Sequence, residues 1–413
     1  MGAMGKAARA AAQVLRDSSA DQHNTALRAA AARLRANALR IVEANAHDMQ
    51  AAIAAGTSSA MLDRLTVTVT TIEAMAKGLE DIAAFPDHIG RELARWQRPN
   101  GLDIARVATP IGVLGMIYES RPNVTADAAG LCLKSGNALI LRGGSEAHGS
   151  NAAIHASLLE GLRESGLPEE CVQLVKTTDR EAVGLMLSGL DGAIDLIIPR
   201  GGRGLVARVQ AEARVPVLAH LEGICHLYLH AKADWQKAVS ITLNSKLRRT
   251  GVCGAAETLL IDRSVLSGWG EVVLRALHDA GCEIRGDDAV RGVASYAKAA
   301  SEEDWRTEYL DKIIAVKAVD GVEDAIRHIE TYGSRHTESI VTEDAAVAER
   351  FLAALDSAVV MWNASTQFAD GGEFGMGAEI GIGTGNLHAR GPVGVEQLTT
   401  FKYVVRGTGQ VRP

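Results

Sequence analysis

From Ile111 onward the chain alternates short apolar runs with amphipathic stretches, and this alternation constrains its fold more than any other feature. Ile111–Tyr118 (IGVLGMIY) reads as a buried strand, followed by Ala138–Gly144 (ALILRGG), Cys171–Val175 (CVQLV) and Ala193–Gly202 (AIDLIIPRGG). Ile154, Leu158 and Leu162 share one face of an intervening helix, which Gly166 and Pro168 bring to an end. Thr178-Asp179-Arg180-Glu181 has capping-box spacing and predicts the start of another helix. Strands separated by helices at this distance run parallel, each helix serving as a crossover. The pattern restarts after His220, with strands at His226–His230, Glu257–Asp262, Ile313–Val319 and Ser357–Asn363. Helices are expected there at Trp235–Leu243, Val265–Ala280 and Val322–Thr331. The chain therefore predicts two consecutive Rossmann-like α/β domains with parallel sheets.

The first ninety-five residues read differently. Ala, Leu, Arg and Glu dominate, and Leu62, Leu65 and Val69, or Ile72, Met75 and Leu79, fall at helical spacing. Helix ends near Phe85-Pro86-Asp87, and Pro99-Asn100-Gly101 is a turn signal. Leu102, Ile104 and Arg106 then alternate with other residues, as in a hairpin arm. A net charge of −7 argues against a general nucleic-acid binder. No apolar run approaches the ~18 to 20 residues that span a bilayer, and the amphipathic N-terminus is too short in apolar residues for a secretory signal. Five cysteines, odd in number and without a C-x-x-C, exclude a disulfide framework and predict a cytoplasmic location.

Among those cysteines Cys253 stands apart. It lies in Arg248-Arg249-Thr250-Gly251-Val252-Cys253-Gly254, a loop just ahead of an apolar strand. Flanking glycines leave its sulfur open, and nearby arginines favour the nucleophilic thiolate. Cys132, Cys171 and Cys225 sit in apolar surroundings and read as small core residues.

Two strands end in glycine turns, Leu141-Arg142-Gly143-Gly144 and Pro199-Arg200-Gly201-Gly202. Such turns let a nucleotide approach the backbone at a helix N-terminus, and an arginine there suits the 2′-phosphate of NADP. Neither matches G-x-G-x-x-G, so plain tight turns remain the alternative. His220, Cys225, His226 and His230 crowd one stretch, but Cys225 faces away from His226 and His230 along a strand, and no metal site is expected. Gly371–Gly394 is glycine-rich and reads either as a ligand-contacting loop or as a simple connection.

Taken together, these segments resemble the γ-glutamyl phosphate reductases (glutamate-5-semialdehyde dehydrogenases) of the aldehyde dehydrogenase superfamily. The resemblance runs from about Leu62 to Lys402. It is carried by PIGVLGMIYESRPNVTADAAGLCLKSGNALILRGG, IPRGG, TGVCGAAETLLID, VMWNASTQFADGGEFGMGAEIG and LHARGPVGVEQLTTFKY. YESRPNVT followed by LRGG, and the LHARGP tail, set it apart from ordinary aldehyde dehydrogenases. It implies that Cys253 is the nucleophile forming a γ-glutamyl thioester and that Asn123 helps stabilise the oxyanion. It further implies cofactor contacts at Arg142, Gly143, Arg200, Gly201 and Gly202, and at Glu308 beside the nicotinamide ribose. Arg121 and Arg390 are its substrate-binding candidates, with the part played by His388 left open.

The activity so implied is NADPH-dependent reduction of L-glutamyl 5-phosphate to L-glutamate 5-semialdehyde and phosphate, in proline biosynthesis. The resemblance divides the chain into a cofactor-binding domain (1–95 and 109–225), a catalytic domain (226–397) and an oligomerisation arm (96–108 and 398–413). A homo-oligomer and functional coupling to glutamate 5-kinase are the expected partners. Two rivals stay open: a hydrolytic NAD(P)-dependent aldehyde dehydrogenase, and a cofactor-free cysteine hydrolase with a histidine base. Glu222, in His220-Leu221-Glu222-Gly223-Ile224, falls where hydrolytic relatives carry a water-activating glutamate but departs from their L-E-L-G-G. It is expected not to serve as a deacylating base.

Overall fold

The computed structural model describes residues 1–376 and 378–412. The chain divides into two compact units. The first comprises residues 1–219, 375–381 and 393–413. Five helices open it: α1 (Gly2–Asp17), α2 (Ala20–Ala36), α3 (Ala38–Ala54), α4 (Ser59–Leu65) and α5 (Val69–Ala84). An antiparallel hairpin follows, β1 (Glu92–Gln97) and β2 (Asp103–Pro110), with a strand from the chain's end, Thr399–Arg406, on the other side of β2. The hairpin begins at Glu92, four residues before the Trp96 read from sequence. Leu93, Ala94 and Arg95 favour helix locally, and pairing with Ala105–Val107 overrides that preference.

The parallel sheet of this unit is built from β3 (Val113–Tyr118), α6 (Val124–Lys134), β4 (Ala138–Gly143), α7 (His148–Glu164), β5 (Val172–Leu174), α8 (Glu181–Leu187), β6 (Leu196–Arg200) and α9 (Arg203–Glu212). Its strand order is β5-β4-β3-β6. The order reverses between β3 and β6, so the loops following these two strands flank the crevice where such sheets bind ligands. Helix α6, absent from the sequence reading, is buried along nearly its whole length because VTADAAGLCLK presents small and apolar groups on every side. Its terminal Lys134 is buried too, and donates to Asn24 Oδ1 and Asp87 Oδ1, each at 2.7 Å. The capping box expected at Thr178 does not form. Asp179 Oδ1 instead accepts the Glu181 N–H at 2.9 Å, an Asx turn that starts α8.

The second unit spans residues 220–374 and 382–392. It contains β7 (Cys225–Leu229), α10 (Trp235–Leu247), β8 (Ala256–Asp262), α11 (Glu271–Asp279), β9 (Glu283–Gly286), α12 (Asp288–Val293), β10 (Lys298–Ala299), β11 (Ile313–Val319), α13 (Val322–Tyr332), β12 (Thr337–Val341), α14 (Ala345–Ala354) and β13 (Val359–Trp362). All seven strands are parallel, in the order β10-β9-β11-β8-β7-β12-β13. One face of the sheet packs Leu227, Leu259, Ile261, Leu277, Ile314 and Val316, and the other packs Tyr228, Leu260, Ile329, Ile340 and Phe351. The helix expected at Val265–Ala280 is interrupted: Gly268 leaves helical geometry, and only Glu271–Asp279 is regular. The division at 219/220, rather than 225/226, gathers His220 and Glu222 with this unit. Residues 375–381 and 393–397, read as part of the catalytic domain, join the first unit, where Ile380 N–H donates to Val393 O at 2.9 Å.

Candidate active site

Cys253 lies in the loop between α10 and β8, and that loop is tied down at several points. Gln367 Nε2 donates to the carbonyls of Ser245 (3.0 Å) and Arg249 (3.1 Å). Lys246 and Glu257, both fully buried, form an ion pair that closes the loop across its base. Gly223 passes directly against Cys253, and a Cβ on it would sit 2.2 Å from the Cys253 carbonyl oxygen. Cys225 Sγ donates to that same oxygen at 3.1 Å. The backbone of Cys253 is therefore clamped while the residue stays partly exposed.

Two histidines complete the surroundings. One ring nitrogen each from His220 and His336 lies with Cys253 Sγ in a group of atoms all within 4.8 Å of one another. His220 Nδ1 donates to the Ile382 carbonyl at 2.8 Å, because a carbonyl only accepts, and this leaves Nε2 available to the sulfur. Burial opposes ionisation of Cys253, but the charge of His336 and the hydrogen bonding of His220 outweigh it and hold the thiol well below its usual range. The other cysteines go the opposite way: burial pushes Cys171 and Cys282 up to about 12 and raises Cys132 and Cys225 as well. This contrast gives a pH prediction. A thiol with a depressed pKa is reactive above that lowered value, so iodoacetamide should modify Cys253 with a midpoint well below 9.0. His336→Gln should move the midpoint back up. A wild-type midpoint near 9 would contradict the assignment.

Glu308 joins this cluster. Its Oε1 accepts the Gly223 N–H at 3.0 Å, and burial raises its pKa against that hydrogen bond. Glu257 Oε1 accepts the Leu310 N–H at 3.2 Å, where Leu310 holds a left-handed φ of 55°, and so fixes the segment bearing Glu308. Cys253, His220, Glu308 and His336 precede β8, β7, β11 and β12 respectively. The site thus forms at the amino ends of the parallel strands of the second unit.

In the first unit the candidate residues gather at the carboxyl ends of strands. Arg200 ends β6 and Gly201 and Gly202 follow it, while Arg121 and Asn123 follow β3, on the two sides of the strand-order reversal. Asn123 Nδ2 donates to Asp127 Oδ2 at 2.8 Å, and burial lifts the Asp127 carboxyl to about 6. Gly202 is the N-cap of α9; its N–H donates to Glu119 Oε2 at 3.2 Å, and a Cβ there would meet nothing within 4 Å. Arg142 and Gly143 lie one strand further out. Arg142 donates to the carbonyls of Gly143 and Thr178, each at 3.0 Å, and its Nε has no partner among the described residues. The helix after Arg142 is already served: Asp48 Oδ2 accepts the Ser150 N–H at 2.7 Å. Arg390, in the second unit, pairs with Asp356.

The structure thus brings Cys253 and Glu308 together in one unit and Arg121, Asn123, Arg200, Gly201 and Gly202 near one crevice in the other. His220 and His336, the groups that activate Cys253, carry no role in the sequence reading. His336 is 83 positions from Cys253 and precedes a strand whose sequence, TESIV, was not read as one. His220, Cys225, His226 and His230 are close in sequence but do not face one another as a group. The structure pairs His226 with buried Glu338 instead, Nδ1 to Oε2 at 2.9 Å.

A clamped, activated cysteine at one parallel sheet, with glycine turns closing the strands of another, defines a protein of the aldehyde dehydrogenase class. The sequence model of the aldehyde dehydrogenase family matches residues 2–286. The chain is 60% identical to γ-glutamyl phosphate reductase from Parvibaculum lavamentivorans, over 99% of this chain and 97% of that one. It is likewise 60% identical to the enzyme of that name from Caulobacter vibrioides, over the full length of both. The crystal structure of γ-glutamyl phosphate reductase from Thermotoga maritima superposes with a TM-score of 0.97 at 43% identity, covering 99% of each chain. The chain belongs to the γ-glutamyl phosphate reductase family within the aldehyde dehydrogenases.

Proposed function

We propose that this chain reduces L-glutamyl 5-phosphate to L-glutamate 5-semialdehyde with NADPH, releasing phosphate, as a step of proline biosynthesis. The carrying observation is the Cys253 thiol, held low by His220 and His336 in a chain so similar to γ-glutamyl phosphate reductases. Cys253 Sγ attacks the γ-carbonyl carbon, the S–C bond forms, and the bond to the phosphate oxygen breaks. Asn123, its amide oriented by Asp127, is the side chain we assign to the carbonyl oxygen as charge develops there, worth ~3 kcal/mol of barrier for such a donor. When bound, the nicotinamide supplies the hydride that reduces the thioester. The C–S bond then breaks, the aldehyde leaves and the thiolate returns, stabilised by the same histidines.

The residues of the first unit fit a dinucleotide. The α9 N-terminus lies where the strand order reverses and suits phosphate, with the Glu119 carboxylate, which accepts the Gly202 N–H at 3.2 Å, giving way to it. That position favours Arg200 over Arg142 as the reader of the 2′-phosphate, since Arg142 already holds two backbone carbonyls. Arg200→Ser is expected to raise the KM for NADPH at least ~10-fold while NADH is little affected, a charge-assisted pair contributing ~1.5 to 3 kcal/mol. Steady-state kinetics with both cofactors checks it; an unchanged preference would move the reader elsewhere.

Because the substrate is a labile acyl phosphate, a kinase acting on the γ-carboxylate must supply it. For assembly, we propose that the antiparallel arm joins copies of the chain, an idea supported by exposed Trp96, Phe401 and Tyr403 on its strands. The reaction is tested in reverse, by the NADPH absorbance that develops from semialdehyde, NADP⁺ and phosphate. No NADPH formation with the folded protein would refute the reading.

A further inference from the structure

We infer that Cys253, His220 and His336 form a reversible inhibitory site for a soft divalent cation of the Zn²⁺ type. Ion binding here is independent of the proposed reaction, and its inhibitory consequence rests on Cys253 being the nucleophile of that reaction. One sulfur and two imidazole nitrogens from three separate segments lie within 4.8 Å of one another. Tetrahedral zinc, with arms of about 2.0 to 2.3 Å, needs its ligand atoms about 3.5 Å apart, so closure calls for side-chain movements of about 1 Å. A Cys-His₂ set suits Zn²⁺ or Cd²⁺ and not Mg²⁺ or Ca²⁺, which take oxygen ligands.

The outer contacts are those that metal-binding histidines carry. His220 Nδ1 is held on the Ile382 carbonyl at 2.8 Å, which fixes the ring and leaves Nε2 free of protons in the neutral form. His336 Nδ1 lies 2.9 Å from Thr337 Oγ1, and its buried Nε2 has no hydrogen-bond partner among the described residues. Cys253 and His220 are both partly exposed, so an ion can enter and the fourth position can hold water. The S–metal bond forms to the thiolate, and the proton shared with the two histidines leaves to solvent as their nitrogens bind. The bound sulfur shares its charge with the metal and the ion blocks approach to it, so attack on an acyl carbon is suppressed without any covalent change to the protein.

The test uses the full-length protein and Zn²⁺ alone, in buffer without phosphate or thiols. Calorimetric titration is expected to give one ion per chain, and bound Zn²⁺ should slow iodoacetamide modification of Cys253 at least tenfold, reversed by EDTA. Cys253→Ser should abolish tight binding, and His220→Gln should weaken it at least tenfold. His336→Gln should do the same; if that variant fails to fold, His220→Gln alone decides. Zn²⁺ binding that survives Cys253→Ser or His220→Gln unchanged would overturn the site. So would one-to-one binding that leaves Cys253 as reactive as before, or no binding at micromolar Zn²⁺.

Discussion

Replacing Cys253 with alanine is expected to lower turnover by more than ~10³, equivalent to ~4 kcal/mol of barrier, while the fold survives. Among the five cysteines, Cys253 alone combines partial exposure with a lowered pKa, and the other four are buried and pushed upward. The substitution leaves the clamp in place, since the clamping contacts reach the Cys253 backbone and not its sulfur. Thermal melting should therefore be near that of the parent, and NADPH should still bind. Cys132→Ala, by contrast, removes a fully buried group and should cost stability with little effect on turnover. A Cys253→Ala protein retaining a tenth of parental activity would end the thioester account.

The second large effect is expected at Gly223, which performs no chemistry. A methyl group there would lie 2.2 Å from the Cys253 carbonyl oxygen and 2.8 Å from its carbonyl carbon and Cα. These are backbone atoms, so relief requires moving the loop itself. A displacement of about 1 Å at a reacting atom costs ~10² in rate, and Gly223→Ala is expected to lower kcat by about that factor. The Gly223 N–H also holds Glu308, so the KM for NADPH should rise in the same variant if Glu308 contacts the cofactor. Turnover within about threefold of the parent would show that the loop has more slack than this packing allows.

Much of the fold was legible because its strands are apolar and punctuated. ALILRGG, IIAVKAV and ETLLID each became the strand their pattern predicted, and the glycines after two of the first-unit strands mark their carboxyl ends. Cys253 and Glu308 were singled out through family motifs, and the structure adds what lowers the pKa of the one and holds the other. The histidines were not legible. His336 precedes β12, whose TESIV mixes polar and apolar residues because Glu338 is buried against His226 rather than exposed to solvent. No local period signals that pairing, and only the register of β12 against β7 brings His336 to the cysteine. The Lys246–Glu257 pair was invisible for the same reason: two charges eleven residues apart read as surface until α10 and β8 enclose them. α6 escaped notice because a helix buried all round has no polar face to give it a period.

The fate of the thioester tests the central claim most directly. Glu222 lies in the segment packed against Cys253, but the proposed reaction passes the acyl group to phosphate and not to water. NADPH absorbance should be followed after semialdehyde and NADP⁺ are mixed with enzyme in phosphate-free buffer. The account predicts at most one NADPH per chain, followed by sustained production when phosphate, or arsenate in its place, is added. Sustained NADPH formation with release of glutamate in the absence of both anions, abolished by Glu222→Gln, would contradict it and make the protein a hydrolytic aldehyde dehydrogenase.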